Sequence, residues 1–209
     1  YGLYDNKDYG NVRGIELKYD FLFNNFSTFV NYTLQFTRGI ADSPTQAFSR
    51  EGQSLDPINR LIPMSWDQRH TANITLAYNQ PKYGISTTAY LNSGTPYTFQ
   101  PLSESSLAQI NLLPNNDYKP LNYNIDLTGY YAFKLGSYES RITFSIYNLT
   151  DRLNQISVNN KTGKAYTNIL SESQIEGYRS NFSNISDTYQ NPSMYSAPRN
   201  IKIGLDLKF

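Results

Sequence analysis

The chain has 209 residues, with 18 Lys+Arg against 17 Asp+Glu and no cysteine. A net charge of +1 leaves no electrostatic footprint for nucleic acid, and the lack of cysteine excludes disulfides, thiolate metal sites and a cysteine nucleophile. A mean hydropathy of −0.56 and the absence of any apolar run near ~20 residues exclude a helical membrane protein. They do not exclude a membrane-spanning sheet, half of whose side chains face water.

Alternation of apolar and polar residues predicts seven strands. The first, Asn11 to Leu22, sets Ile15, Leu17, Tyr19 and Phe21 against Glu16, Lys18 and Asp20. A turn at Phe23-Asn24-Asn25 leads into Phe26 to Arg38, where Phe26, Val30, Tyr32, Leu34 and Phe36 oppose Ser27, Asn31, Thr33 and Gln35. Residues 42 to 64 read as a long polar loop holding Pro44, Pro57 and Pro63. The third strand, Trp66 to Asn79, alternates Ala72, Ile74, Leu76 and Tyr78 with Thr71, Asn73, Thr75 and Ala77. A turn at Gln80-Pro81-Lys82 follows. The fourth strand, Tyr83 to Phe99, keeps Ile85, Ala89, Leu91, Tyr97 and Phe99 in register.

A second long loop, 100 to 121, carries Pro101, Pro114 and Pro120. The fifth strand, Asn122 to Leu135, sets Ile125, Leu127, Tyr131, Phe133 and Leu135 against Asn124, Asp126, Thr128 and Lys134. Gly136-Ser137-Tyr138 turns the chain into the sixth, Glu139 to Leu149, with Ile142, Phe144 and Ile146 on its apolar face. Residues 150 to 197 form the longest connection, with a small hairpin expected around Asn160-Lys161-Thr162-Gly163. The seventh strand, Pro198 to Phe209, alternates Ile201, Ile203, Leu205, Leu207 and Phe209 with Asn200, Lys202, Gly204, Asp206 and Lys208.

Connections alternate short and long, as in barrels with tight turns at one end and large loops at the other. The aromatic residues sort by height. Phe21, Phe26, Tyr78, Tyr83, Phe133 and Phe209 lie beside short turns or at the end of the chain, whereas Phe36, Trp66, Phe99 and Tyr123 lie beside long loops. Two aromatic belts around an aliphatic band are what bilayer interfaces select, so the fold class expected is an all-β, antiparallel transmembrane β-barrel. Seven is an odd count, and open edges are not tolerated in lipid. The first strand begins on the long-loop side and the chain opens at Tyr1-Gly2-Leu3 without a leader pattern, so the expectation is a truncated chain, the later part of a larger barrel.

Several stretches carry a family resemblance: Trp66-Asp67-Gln68-Arg69-His70, Ser93-Gly94-Thr95-Pro96-Tyr97-Thr98, Tyr123-Asn124-Ile125-Asp126-Leu127, Tyr147-Asn148-Leu149-Thr150-Asp151-Arg152 and Ala197-Pro198-Arg199-Asn200-Ile201-Lys202-Ile203-Gly204-Leu205. In this order they resemble TonB-dependent outer-membrane receptors of Bacteroidetes-like bacteria. The resemblance covers essentially residues 1–209 and implies the C-terminal portion of a plug-filled barrel of about 22 strands. It implies uptake of a scarce, bulky nutrient (siderophore, haem, cobalamin, oligosaccharide or peptide) across the cell outer membrane. Its partners would be outer-membrane lipid, the rest of the barrel and plug, and TonB through a region this chain lacks. The terminal Phe209 matches the signal read by the barrel-assembly machinery in such proteins.

No catalytic, cofactor or metal site is expected. Asn73, Thr75, Asp126, Lys134, Arg141, Lys202 and Asp206 are expected to face the lumen or plug. Tyr118, Tyr166, Tyr178, Tyr189 and Tyr195 are loop residues able to stack on sugars or chelate rings, although loop tyrosines are equally ordinary surface residues. His70, the one histidine, falls by parity on the outward face and reads as interfacial, with no second ligand at a fixed spacing. Three other readings stay open. One is a self-contained eight-stranded adhesin or anchor, with an extra strand drawn from Ile156, Val158, Ala165 and Tyr166. The others are an outer-membrane hydrolase using His70 and a soluble β-sandwich binding module.

Overall fold

The computed structural model describes residues 9–100, 112–165 and 192–208. In chain order the elements are β1 (Gly10–Phe23), β2 (Phe26–Gly39), α1 (Gln46–Gly52), β3 (Ile62–Pro63), β4 (His70–Asn79), β5 (Tyr83–Asn92) and β6 (Pro96–Tyr97). They continue with β7 (Asp117–Tyr118), β8 (Asn122–Leu135), β9 (Tyr138–Tyr147), a 3-10 turn at Pro192–Met194 and β10 (Asn200–Lys208). The seven long strands form one antiparallel meander in the order β1-β2-β4-β5-β8-β9-β10, with β3 alongside β2 as the eighth strand of the sheet. Among the described residues, β1 pairs only with β2 and β10 only with β9, so each presents a free edge.

Two of the tight turns use left-handed backbone at residues that tolerate it, Asn24 at φ 51° and Gly136 at φ 63°. The register then aligns the alternation across the whole sheet. One row runs Tyr19, Val30, Ile74, Ala89, Ile125 and another runs Leu127, Ile146, Ile201, each residue opposite the next. A single face thereby collects Ile15, Leu17, Leu76, Ile85, Ile142, Ile203 and Leu205. The reverse face carries Asn31, Asn73, Tyr90 and Asn124 in one row and Thr128, Ser145 and Lys202 in another. Val12, Leu22 and Phe29 are apolar exceptions on the polar face.

No second layer covers the apolar face among the described residues. Ile203 is 79% exposed and Ile15 60%, while the buried apolar residues (Ile62, Met64 and Ala165) all lie outside the seven long strands. Packing is therefore lateral, between neighbours on one sheet. The ring of Phe26 meets Tyr78 at 4.6 Å between centroids and Tyr78 meets Tyr83 at 6.1 Å, giving a continuous aromatic row beside the short turns. Gly84 and Gly129 leave room for the rings of Tyr130 and Phe144 on the adjoining strand; any Cβ there would collide with them.

Four predicted boundaries need correction. The third strand starts at His70 rather than Trp66, because Asp67 and Arg69 are taken up by side-chain bonds described below. The fourth ends at Asn92 rather than Phe99. At Gly94 the backbone comes so close to the Lys119 carbonyl that no side chain fits, and the chain peels away into the small β6–β7 ribbon, so Tyr97 and Phe99 leave the register. The sixth ends at Tyr147, which leaves Leu149 outside it, and the seventh begins at Asn200. The loop at 42–64 contains α1, where the Arg50 guanidinium donates to the Asp56 carbonyl at 3.0 and 2.7 Å. At Asn160–Gly163 a tight turn forms with no strands, closed by Gly163 N–H donating to Asn159 O at 2.8 Å. Between Ile156 and Ala165 no strand forms, so the extra strand of the eight-stranded reading is not seen among the described residues. Phe209, Tyr166, Tyr178 and Tyr189 lie outside the described residues.

Candidate functional site

At the long-loop end of the sheet, the rim, buried polar side chains hold the connections in place. Asp67 is fully buried and serves as the first knot. One carboxylate oxygen accepts the Thr37 amide at 2.7 Å; the other accepts Arg69 at 3.1 Å and the Tyr118 hydroxyl at 3.0 Å. Burial beside this carboxylate pushes the Tyr118 hydroxyl above its ordinary pKa, with the charges of Arg69 and Arg38 acting the other way. Tyr118, one of the loop tyrosines able to stack on a ligand, spends its hydroxyl joining two loops.

Asn115 ties the second knot. Its amide group donates to the Asp42 carboxylate and, at 2.9 Å, to the Pro63 carbonyl. Asp42 in turn accepts the Ser65 amide at 2.9 Å. Tyr97 donates to Asp117 at 2.8 Å, and burial followed by that carboxylate raises its pKa to about 12. Gln100 N–H donates to Asn160 O at 2.8 Å and Asn160 Nδ2 to Gln100 Oε1 at 2.9 Å, linking the second loop to the third.

The third knot explains the Tyr147–Arg152 motif. Asn148, at φ 56°, donates through its side chain to the carbonyls of Arg152 and Ala197 at 2.9 and 3.0 Å. Asp126 accepts the Asn148 amide at 2.8 Å. Asn154 mimics a strand partner, accepting Tyr123 N–H at 3.1 Å and donating to Tyr123 O at 2.7 Å. Arg152 lies over the Tyr123 ring at 4.5 Å, and Asp151 accepts Arg199 N–H at 2.9 Å. Tyr195 bridges to Gln155 beside it.

Below the rim, the register puts all seven expected lumen residues, Asn73, Thr75, Asp126, Lys134, Arg141, Lys202 and Asp206, on the polar face. Arg141 stands opposite Asp206, and Glu139 opposite both Lys134 and Lys208, so unlike charges face each other across strands. Arg141 also lies 3.9 Å from the Tyr130 ring centroid. His70 sits on the apolar face as parity requires, its Nδ1 sharing a 2.8 Å bond with the Tyr32 hydroxyl. Within the first loop, Ala47, Leu55, Pro57 and Ile58 with Arg50 and Glu51 line a concavity of about 400 Å³.

Alternation had no means of singling out Asp67, Asn115 or Asn154: Asn115 and Asn154 are short polar residues inside polar loops, and Asp67 read as one more polar residue of the third strand. Asp67 lies inside one of the quoted motifs and Asn154 two residues beyond another, whereas Asn115 carried no signal. No protein-family model, curated protein or solved structure matches the chain.

Proposed function

We propose that this chain is wall and outer rim of a transmembrane β-barrel in the cell outer membrane, the C-terminal segment of a TonB-dependent receptor that takes up a scarce, bulky nutrient. The observation that carries this reading is the uncovered apolar face running unbroken across seven strands. Contiguous apolar surface of that extent is untenable in water and suits lipid, while the ladder satisfies the backbone of the five inner strands internally. The aromatic row at the short-turn end and the polar reverse face support the same orientation.

The free edges of β1 and β10 support membership in a larger barrel, because each carries a row of unpaired backbone groups that hydrocarbon would not tolerate. Strands beyond this segment would complete the ladder, and a plug would meet the polar face. Transport itself would depend on plug and TonB; this segment contributes wall, lumen lining and the knotted rim that nutrient meets first.

The test is the native size and location of the polypeptide that carries this sequence. An outer-membrane fraction is blotted with an antibody to the terminal peptide, with and without boiling. A heat-shifting band several times larger than 23.9 kDa is expected. A heat-shifting band near 23.9 kDa would instead indicate a small self-contained barrel, an adhesin or anchor. Recovery only in the soluble fraction would refute the membrane reading.

A further inference from the structure

At the long-loop end of the apolar face the alternation breaks in favour of charge. Arg13 and Arg38 fall on that face by register, Arg13 opposite Phe36 and Arg38 opposite Asn11. Together with Tyr9, Phe36 and Leu61 they line a notch of about 250 Å³ between β1 and β2. The Arg13 guanidinium lies 5.6 Å from the Phe36 ring centroid, and Arg69 covers the same ring at 4.1 Å. Arg69 is paired with Asp67, but among the described residues neither Arg13 nor Arg38 has an acidic partner. The Asp67 carboxylate is already shared by Thr37, Arg69 and Tyr118, so among the described residues both exposed guanidinium groups keep donors free.

Height identifies what these donors meet. Arg13 is ten residues from Phe23 at the opposite turn, which is about 33 Å along the strand at ~3.3 Å per residue. At the usual tilt of about 40° that becomes roughly 25 Å along the bilayer normal, the height of the apolar band of an outer-membrane barrel. The notch therefore sits just beyond the aliphatic band formed by Ile15, Leu17, Leu34 and Val30, at headgroup level. Two free guanidinium groups beside an aromatic ring, with their forks open, suit the oxygens of a phosphate.

We infer that the Arg13–Phe36–Arg38 notch is a binding site for the phosphate headgroup of an anionic lipid in the outer leaflet. This rests on the membrane reading above and adds a lipid site to it. The geometry gives the headgroup phosphate to Arg13 and Arg38, and its acyl chains to the aliphatic face below.

The experiment uses the intact purified protein with phosphatidic acid as probe and phosphatidylcholine as the zwitterionic control, bound lipid being counted by native mass spectrometry. The wild type should retain phosphatidic acid preferentially. The Arg13→Gln/Arg38→Gln variant should lose that preference by on the order of tenfold, while Arg13→Lys/Arg38→Lys retains a good part of it. Lys134→Gln, at the far end of the sheet, should leave the preference unchanged. A double Gln variant that keeps its heat shift and still prefers phosphatidic acid overturns the site. Inorganic pyrophosphate binding as tightly as the lipid overturns the headgroup assignment in favour of a free anion. Loss of vesicle flotation by wild type and variants alike would refute the membrane reading itself, and the lipid site with it.

Discussion

Adjacent residues on β4 allow the two faces to be compared directly. Ile74 and Asn73 are both exposed, lie next to each other, and point to opposite sides of the sheet. Ile74 stands between Val30 and Ala89, four residues from His70 at one end and four from Tyr78 at the other, so about 13 Å of strand separates it from each. That places it near the middle of the aliphatic band. An arginine at the bilayer midplane on the lipid face costs about 2–4 kcal/mol, against about 0–1 kcal/mol near the interface. Ile74→Arg should therefore lower the folded-to-unfolded ratio by roughly 30- to 700-fold, at 1.4 kcal/mol per decade. Asn73→Arg, on the polar face between Asn31 and Tyr90, should change it little. The assay is urea unfolding of the protein in lipid vesicles, read by loss of the heat-modifiable band. If the Ile74 side faced water, its arginine variant would stay within about 0.5 kcal/mol of wild type, as exposed surface substitutions do. That outcome, or equal losses at the two positions, would refute the assignment of faces.

Asp67→Ala should destabilise by about 3–5 kcal/mol, because it leaves Arg69, the Thr37 amide and the Tyr118 hydroxyl without their acceptor. Hydrogen exchange at the Thr37 amide reports it, and Asp67→Asn should lose less. Asn154→Ala removes both bonds to the Tyr123 backbone; exchange of the Tyr123 amide should accelerate by roughly tenfold or more. Tyr97 is neutral below its unfolded pKa of about 10 and stays neutral in the folded rim up to about 12. Between these values only the unfolded chain loses the proton, so rim stability falls as pH rises from about 10 to 12 and levels off above. Tyrosinate absorbance alongside unfolding should show this, and Tyr97→Phe should flatten the decline.

The parts of the fold that depend on alternation were readable in the sequence. The bounds of β8 coincide with the expected Asn122–Leu135, and the other long strands agree in their cores, because a period of two is forced by the pleat. Errors gathered where a side chain competes with the ladder. The carboxylate of Asp67 captures an amide 30 positions away, and Gly94 admits the Lys119 backbone, so apparent alternation at Trp66–Arg69 and Tyr97–Phe99 produces no strand. Such bonds depend on which loops meet in space. Alternation also placed His70 on the apolar face and the seven expected lumen residues on the polar face, but it did not reveal that Tyr118 would be occupied by Asp67. The helix α1 was hidden in a polar, proline-bearing stretch and has no buried residue to give it a period.

The chain contains no cysteine, so single cysteines can be introduced along β8 without background. Spin labels at 124 to 128, on Asn124, Ile125, Asp126, Leu127 and Thr128 in turn, would be examined in the membrane-embedded protein for collision with oxygen and with a water-soluble relaxant. Alternating accessibility is expected, with lipid-like values at Ile125 and Leu127 and water-like or occluded values at Asn124, Asp126 and Thr128. Uniform access to the water-soluble relaxant at all five positions would contradict the claim that this sheet is a membrane wall.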